Sequence, residues 1–307
     1  MTVIDLITGR ETMPAAGQTF SCAVGNFDGV HRGHAALLKE AAAKGGCDSS
    51  AVWTFRTHPK ICSEGDVRLL TTLEQKLALF AQHGIEYVFI EDFENVRGLS
   101  PAEFAKKVLY NECNVRRAVC GFDFRFGKNA AGASDDLASL LGAEGAEVIA
   151  LPPVKTEDGE TISSSLVRKL IEKGDVARAR ELLGHPFGIL LPVTEGRRIG
   201  RTIGAPTINQ RFPKEMAVPA SGVYASRCTV DGKTFDAVTS IGTRPTFSCS
   251  DGIVCETHII GFSGDVYNRK ANVELYDFIR AEKKFSGTDE LAAAIRGDIE
   301  NVKKYFG

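Results

Sequence analysis

The eight cysteines include no Cys-x-x-Cys pair and lie scattered along the chain, which excludes a zinc finger and a disulfide framework. Thiols placed this way are expected to be reduced, as in a cytoplasm. No apolar run is long enough to span a bilayer, and the first residues lack a basic start followed by an apolar core. Neither a membrane helix nor a signal peptide is therefore expected. Charge of one sign is scarce too. The 37 Lys and Arg set against 39 Asp and Glu leave a net charge of -2, with no general pull toward nucleic acid or anionic lipid. Two nucleotide signatures are missing as well. No Gly-x-Gly-x-x-Gly occurs, so a Rossmann dinucleotide site has no motif behind it. The nearest approach to a Walker A loop, Gly121 to Gly127-Lys128, has one residue too many between its glycines and continues with Asn129 instead of a hydroxyl.

What is present is two stretches of different rhythm in 307 residues, a length comfortable for two domains. Up to about residue 184, short apolar runs (Phe20–Val24, Ala51–Phe55, Tyr87–Glu91, Ala118–Cys120, Glu147–Leu151) alternate with helical patterns. Those helices are expected near Gly33–Lys44, Leu73–His83, Pro101–Asn111, Asp135–Leu141, Ser164–Lys173 and Val176–Leu183. Ser100, Pro101 and Glu103 form an N-cap, a first-turn proline and a capping box. Alternation of this kind predicts an α/β fold, a doubly wound parallel sheet with ligands at the carboxyl ends of its strands. After Gly184-His185-Pro186 the chain turns to β-rich runs, clearest at Val223–Val230, Thr234–Ile241, Val254–Phe262 and Ala271–Ile279, and ends in an amphipathic helix from about Asp289 to Tyr305. A small antiparallel β-barrel with a closing helix is expected there. The domains are set at 1–184 and 185–307.

The segment Gly25-Asn26-Phe27-Asp28-Gly29-Val30-His31-Arg32-Gly33-His34 joins the first strand to the first helix. Two imidazoles three residues apart share one face of the first helical turn, where free N–H groups and the dipole's positive end favour phosphate. Taken alone, a His-x-x-His pair is more simply surface or core histidine. Ile162-Ser163-Ser164-Ser165-Leu166-Val167-Arg168 follows the fifth strand; its serines read as helix caps, or with Arg168 as a second anion clamp. In the second half, Gly196, Gly200, Arg201 and Gly204 belong to a glycine- and arginine-rich stretch, readable as a basic hairpin or as a phosphate loop. Beyond Pro206, Thr207 and Asn209 alternate, so both side chains can face one cation. Glu256 shares an alternating run with Val254 and His258. A carboxylate amid apolar strand residues is paired, solvated, or a general base for an alcohol attacking a phosphate.

In this order, Gly-Asn-Phe-Asp-Gly-Val-His-x-Gly-His, Thr-Phe-x-x-His-Pro, Gly-x-Asp-Phe-Arg-Phe-Gly and Ile-Ser-Ser-Ser-x-x-Arg resemble the nucleotidylyltransferase half of the bacterial bifunctional riboflavin kinase/FAD synthetases. Gly-x-x-x-Gly-Arg-x-x-Gly-x-Pro-Thr-x-Asn, Gly222-Val223-Tyr224, Ile241 to Phe247 and Glu-x-His resemble their kinase half. The resemblance implies FMN from riboflavin and ATP in the C-terminal domain, and FAD with release of pyrophosphate in the N-terminal one. By the same resemblance His31 and His34 are catalytic, with Gly25, Phe27, Asp28, Gly29, Gly33, Asn129, Ser164, Ser165 and Arg168 around the ATP phosphates. Gly196, Gly200, Arg201 and Gly204 take that part in the kinase, where Thr207 and Asn209 hold Mg²⁺ and Glu256 is the base. Flavin is assigned to Phe55, His58, Pro59, Phe122, Asp123, Phe124, Arg125, Phe126 and Arg280. In the loop Gly121 to Gly127, alternating phenylalanines also suit an ordinary β core.

Departures from the family pattern are Ala130 for an arginine, Ala133 for an acid, Thr57 for a proline, Gly261 for an aspartate and Asn268 for a glycine. The partners implied are riboflavin, FMN, FAD and ATP, with room for weak self-association, and with no nucleic acid, membrane or tightly bound prosthetic group. Three rivals stay open at this level: a riboflavin kinase whose transferase half is inactive, given Ala133; a transferase acting on another phosphate, such as a pantetheine or glycerol phosphate, which leaves the second domain without a purpose; and a silent flavin sensor or RNA-binding regulator on the same scaffold.

Overall fold

Six short strands build the first unit's sheet, and the four inner ones are apolar and largely buried, the pattern of a parallel sheet covered on both sides. The six are β1 (Thr2–Asp5), β2 (Phe20–Val24), β3 (Ser49–Phe55), β4 (Tyr87–Glu91), β5 (Val115–Gly121) and β8 (Glu147–Leu151), all parallel in the order β1-β4-β3-β2-β5-β8; the short strands β6 (Arg125–Phe126) and β7 (Gly132–Ala133) form a separate antiparallel pair. The computed structural model describes residues 1–7, 14–63, 67–194, 205–243, 252–264, 266–267, 269–283 and 285–307. They form two compact units, Met1–Ser163 and Ser164–Gly307.

Strand alternation sorts the first unit's side chains into two cores. Cys22, Val24 and Trp53 face a layer that includes Phe104, Leu109 and Leu137, from the segments Phe104–Glu112 and Ser134–Gly142. Ala23, Val52 and Val88 face Leu37, Leu38 and Phe80, from the helices Arg32–Ala42 and Leu73–Gln82. Full burial of side chains such as Trp53, Phe80 or Phe89 is worth roughly 1.5–3 kcal/mol each, which anchors both layers. Ser100 and Glu103 form the expected capping box, but from Phe104 the helix winds as a π-helix to Glu112. The chain leaves β2 toward β3 and β4 on one side, then returns to β5 and β8 on the other. The crevice between the carboxyl ends of β2 and β5 is thus the switch point at which such sheets hold ligands.

In the second unit, β9 (Phe187–Pro192), β10 (Thr207–Arg211), β11 (Gly222–Val230), β12 (Lys233–Thr243), β13 (Ile253–Ile259) and β14 (Lys270–Arg280) are antiparallel in the order β10-β13-β12-β11-β14-β9. The order closes through a Thr194–Asn209 bridge, Thr194 N donating to Asn209 O at 2.7 Å, so the sheet ends meet as a barrel. Its interior holds Tyr224, Cys228, Cys255, Ile241 and Leu275. A hydroxyl thread also runs through it: Ser226 Oγ to Thr239 Oγ1 at 2.7 Å and on to Thr257 Oγ1 at 2.9 Å. On the outer face Val223, Ala225 and Val238 pack against Val302 of the helix Thr288–Phe306. The helices Ser164–Glu172 and Val176–Leu183 group with this unit, the second packing on β9 and β14.

Candidate functional site

His31 is the N-cap of the helix Arg32–Ala42, and its Nδ1 accepts the His34 N–H at 3.3 Å. An Nδ1 that accepts is unprotonated, so a neutral His31 carries its proton on Nε2 and presents it as a donor. The two imidazoles stack, centroids 3.7 Å apart at 18°, and the Phe27 ring meets His34 edge-on at 5.2 Å. Burial pushes His31 down to about 4. His34 is held well below its ordinary value by burial, then by His31 and Lys76. Both rings are therefore neutral donors near pH 7. Gly33 makes this possible: a Cβ there would lie 3.0 Å from His31 Cε1.

The rest of the loop is held from below. The Asp28 carboxylate is buried and accepts from Leu70 N at 2.9 Å and Thr71 N at 3.3 Å. Gly29, at φ +79°, donates its N–H to Thr71 Oγ1 at 3.1 Å. Phe27 and Val30 take φ of +55° and +41°, an uncommon region for such residues and a strained one for the β-branched Val30. Their buried side chains keep them there. Two polar atoms of this loop, Asn26 Oδ1 and His34 Nδ1, are buried without a hydrogen-bond partner among the described residues. Gly25 opens the loop, its N–H donating to Trp53 O at 3.1 Å.

Two more loops leave carboxyl strand ends of the same unit. After β3, Phe55 packs edge-on to Trp53 and Phe93, Pro59 opens the short helix Pro59–Ser63, and His58 Nδ1 accepts from Lys60 N at 3.2 Å. After β5, Phe126 is 6% exposed and belongs to the core, Phe124 stacks on it at 5.6 Å, and Phe122 is 49% exposed. Asp123 and Arg125 are exposed, as is Asn129 at φ +58°. Of the three phenylalanines, Phe122 is the one with a ring open to a ligand.

In the barrel, register puts Asn209 opposite Glu256 and Thr207 opposite His258, with Ser240 on the far side of Glu256. Cys255, Thr257 and Ile259 point inward, so Thr207, Asn209, Glu256 and His258 share the outer face. Directly opposed Cβ atoms lie about 4.5–5.5 Å apart, close enough for Asn209 and Glu256 to serve one ligand. Pro206 O meets His258 Nδ1 at 2.9 Å, fixing the start of β10. Arg280 is tied to Asp298 by two bonds, Nε to Oδ1 at 2.9 Å and Nη2 to Oδ2 at 2.7 Å, so its fork faces the C-terminal helix. Ser164 and Ser165 begin the helix Ser164–Glu172 and Arg168 sits one turn on, half-buried. Gly196, Gly200, Arg201 and Gly204 lie outside the described residues, as do Asn268 and much of the Ile241 to Phe247 motif.

Two residues at the first site went unmarked in the sequence, Thr71 and Lys76. Lys76 carries a signal that could have found it: with Leu73, Leu77 and Phe80 it occupies the i, i+3, i+4, i+7 stripe of its helix, where a charge is out of place.

Comparison with known proteins agrees with both halves. The FAD synthetase family model matches residues 14–166 and the riboflavin kinase model residues 183–306. The bifunctional riboflavin kinase/FMN adenylyltransferase of Bacillus subtilis is 36% identical over 297 residues, 92% of each chain. The protein of that name from Listeria monocytogenes is 34% identical over 290 residues, 92% of this chain and 91% of its own. A crystal structure of a Streptococcus pneumoniae protein named a macrolide-efflux protein aligns over 99% of both chains, with a TM-score of 0.85 and 29% identity. No helix among the described residues is long and apolar enough to cross a membrane. With both models matched in this order, and relatives alike over nine-tenths of its length, the chain belongs to the bifunctional riboflavin kinase/FMN adenylyltransferase family.

Proposed function

We propose that the barrel phosphorylates riboflavin through Glu256 and that the parallel sheet adenylylates FMN through the His31–His34 loop, with ATP as co-substrate of both. The functional boundary stays at 184/185, and the cell compartment is the cytoplasm. Buried His34 Nδ1 supports the phosphate role of the first site most directly, because a ring nitrogen left without a protein partner can carry its proton to a phosphate oxygen.

In the first site an FMN phosphate oxygen attacks the α-phosphorus of ATP, the bond to the bridging oxygen breaks and pyrophosphate leaves. No proton has to be taken from the nucleophile, so the loop's work is alignment and charge stabilisation. The His31 Nε2–H suits a donor to the departing phosphates. Phe122 supplies an aromatic face for the flavin, and the Phe55 to Pro59 loop leaves the carboxyl end of the same sheet. The part given to Ser164, Ser165, Arg168 and Asn129 rests on their motifs.

In the second site the ribityl 5′-hydroxyl attacks the γ-phosphorus, Glu256 takes its proton and ADP leaves. Mg²⁺ fits the residues at hand. Thr207 and Asn209 offer hard, neutral oxygens on the face that carries Glu256, as suits a cation that keeps waters and phosphate oxygens. When bound it would neutralise phosphate charge. Pure protein given riboflavin, ATP and Mg²⁺ should produce FMN and then FAD. FMN without FAD would leave the kinase alone; flavin binding without turnover would favour a sensor.

A further inference from the structure

We propose that Lys76 is a positioning residue for adenylyl transfer, fixing the distance between the ATP-phosphate loop and the flavin-side loop. This rests on the first unit being the adenylyltransferase. Lys76 is 8% exposed and points from the helix Leu73–Gln82 to the carboxyl ends of two neighbouring strands. Its Nζ donates to Asn26 O at 3.1 Å, Thr54 Oγ1 at 3.1 Å and Phe55 O at 3.0 Å. An ammonium has three N–H donors, and all three are used.

These acceptors mark where two reactant loops begin. Asn26 lies two residues beyond β2, in the loop that carries His31 and His34. Phe55 is the last residue of β3 and the first of the segment Phe55 to Pro59. β2 and β3 are adjacent, Val24 pairing with Trp53. One buried cation therefore ties both exits to a third element. The residues leading into that helix hold the phosphate loop as well, since Leu70 N and Thr71 N donate to Asp28, and Thr71 Oγ1 accepts from Gly29 N. A core position needing only bulk would be apolar, because burying a cation is costly unless its hydrogen bonds are made. Here they are made to the Thr54 hydroxyl and to two backbone carbonyls whose spacing sets where ATP and FMN meet. Sub-ångström errors in that spacing matter greatly to an in-line transfer.

The titratable groups facing Lys76 are Asp28 from the loop and His34 from the first helix, with His31 stacked behind it. Burial lowers Lys76 to about 8, whereas His31 titrates near 4 and His34 is also held low. Above about pH 8 the amine loses a proton, hence one of its three donors, with no histidine titrating alongside.

The test compares wild type with Lys76→Met and Lys76→Arg in the full-length protein, after wild type has been shown to convert FMN to FAD. Steady-state adenylylation is measured from pH 6.5 to 9.5, with riboflavin phosphorylation as the internal control. Lys76→Met should lower the adenylylation kcat roughly 100-fold, with KM for ATP and FMN moving by about threefold or less and the kinase unchanged. Wild type should show an alkaline loss of kcat near pH 8. Lys76→Arg, which cannot titrate there, should be slower but flat across that limb. The comparison with arginine decides the matter if the methionine variant does not fold. A wild-type profile flat to pH 9.5, an alkaline limb kept by Lys76→Arg, or full kcat in folded Lys76→Met would each overturn the proposal.

Discussion

Replacing His31 by asparagine separates two things that the imidazole does at once. It caps the first helix through Nδ1, and it is a buried base that resists protonation. Asparagine is a strong N-cap, so the helix start survives while the titration disappears. Above pH 6.5 His31 is neutral in both folded and unfolded chains, and its full contribution to stability is present. Between pH 6.5 and about 4 the unfolded chain binds a proton that the folded chain refuses, so stability drains away as pH falls. Because the residue is only 6% exposed, solvent screens this little, and the whole shift amounts to roughly 3 kcal/mol. Trp53 is the single tryptophan, 2% exposed and inside the first unit, so its fluorescence reports that unit. Urea unfolding should show wild type losing about 2–3 kcal/mol more than His31→Asn between pH 7 and pH 4.5. Parallel losses in the two proteins would refute a buried neutral imidazole at this cap.

Gly33→Ala should cut FAD synthesis at least roughly tenfold and spare FMN synthesis, because the new methyl falls 3.0 Å from His31 Cε1 and the ring must move. Arg280→Ala strands the Asp298 carboxylate, 4% exposed, and should destabilise the second unit by about 3–5 kcal/mol, read as a lower temperature of kinase inactivation; lysine should recover part of it. Thr207→Ala or Asn209→Ala should raise the Mg²⁺ needed for half-maximal kinase activity by roughly tenfold or more, leaving the Mg²⁺ dependence of adenylylation alone.

Much of this was legible because both folds obey simple periodicities. Phe20–Val24, Tyr87–Glu91 and Glu147–Leu151 begin and end where their apolar runs do. β1 escaped notice because four residues leave little pattern to see. β10 was hidden by Gln210, which faces the barrel interior and breaks the alternation; its amide donates to Leu191 O and Ala271 O, both at 2.8 Å. The π-helical winding of Phe104–Glu112 left no mark, since the spacing of its apolar residues also fits an α-helix. At the sites, the His31–His34 loop and the Thr207, Asn209 and Glu256 face could be read from motif and alternation. Asp28 could not be resolved that way: its carboxylate grips Leu70 and Thr71, 42 and 43 residues away in sequence, an arrangement that tertiary structure alone reveals. Arg280 is likewise assigned to the flavin by resemblance, yet its ion pair with Asp298 depends on how the last helix docks on the barrel.

Two independent chemistries in one chain make the sharpest demand of the account. It is tested most directly by assaying Glu256→Gln beside a His31→Ala, His34→Ala double variant, each offered riboflavin and, separately, FMN, with ATP and Mg²⁺. The first should lose riboflavin phosphorylation by about 10²–10⁴-fold and still turn FMN into FAD. The second should accumulate FMN and stop there. Loss of both reactions from either folded variant would contradict the division.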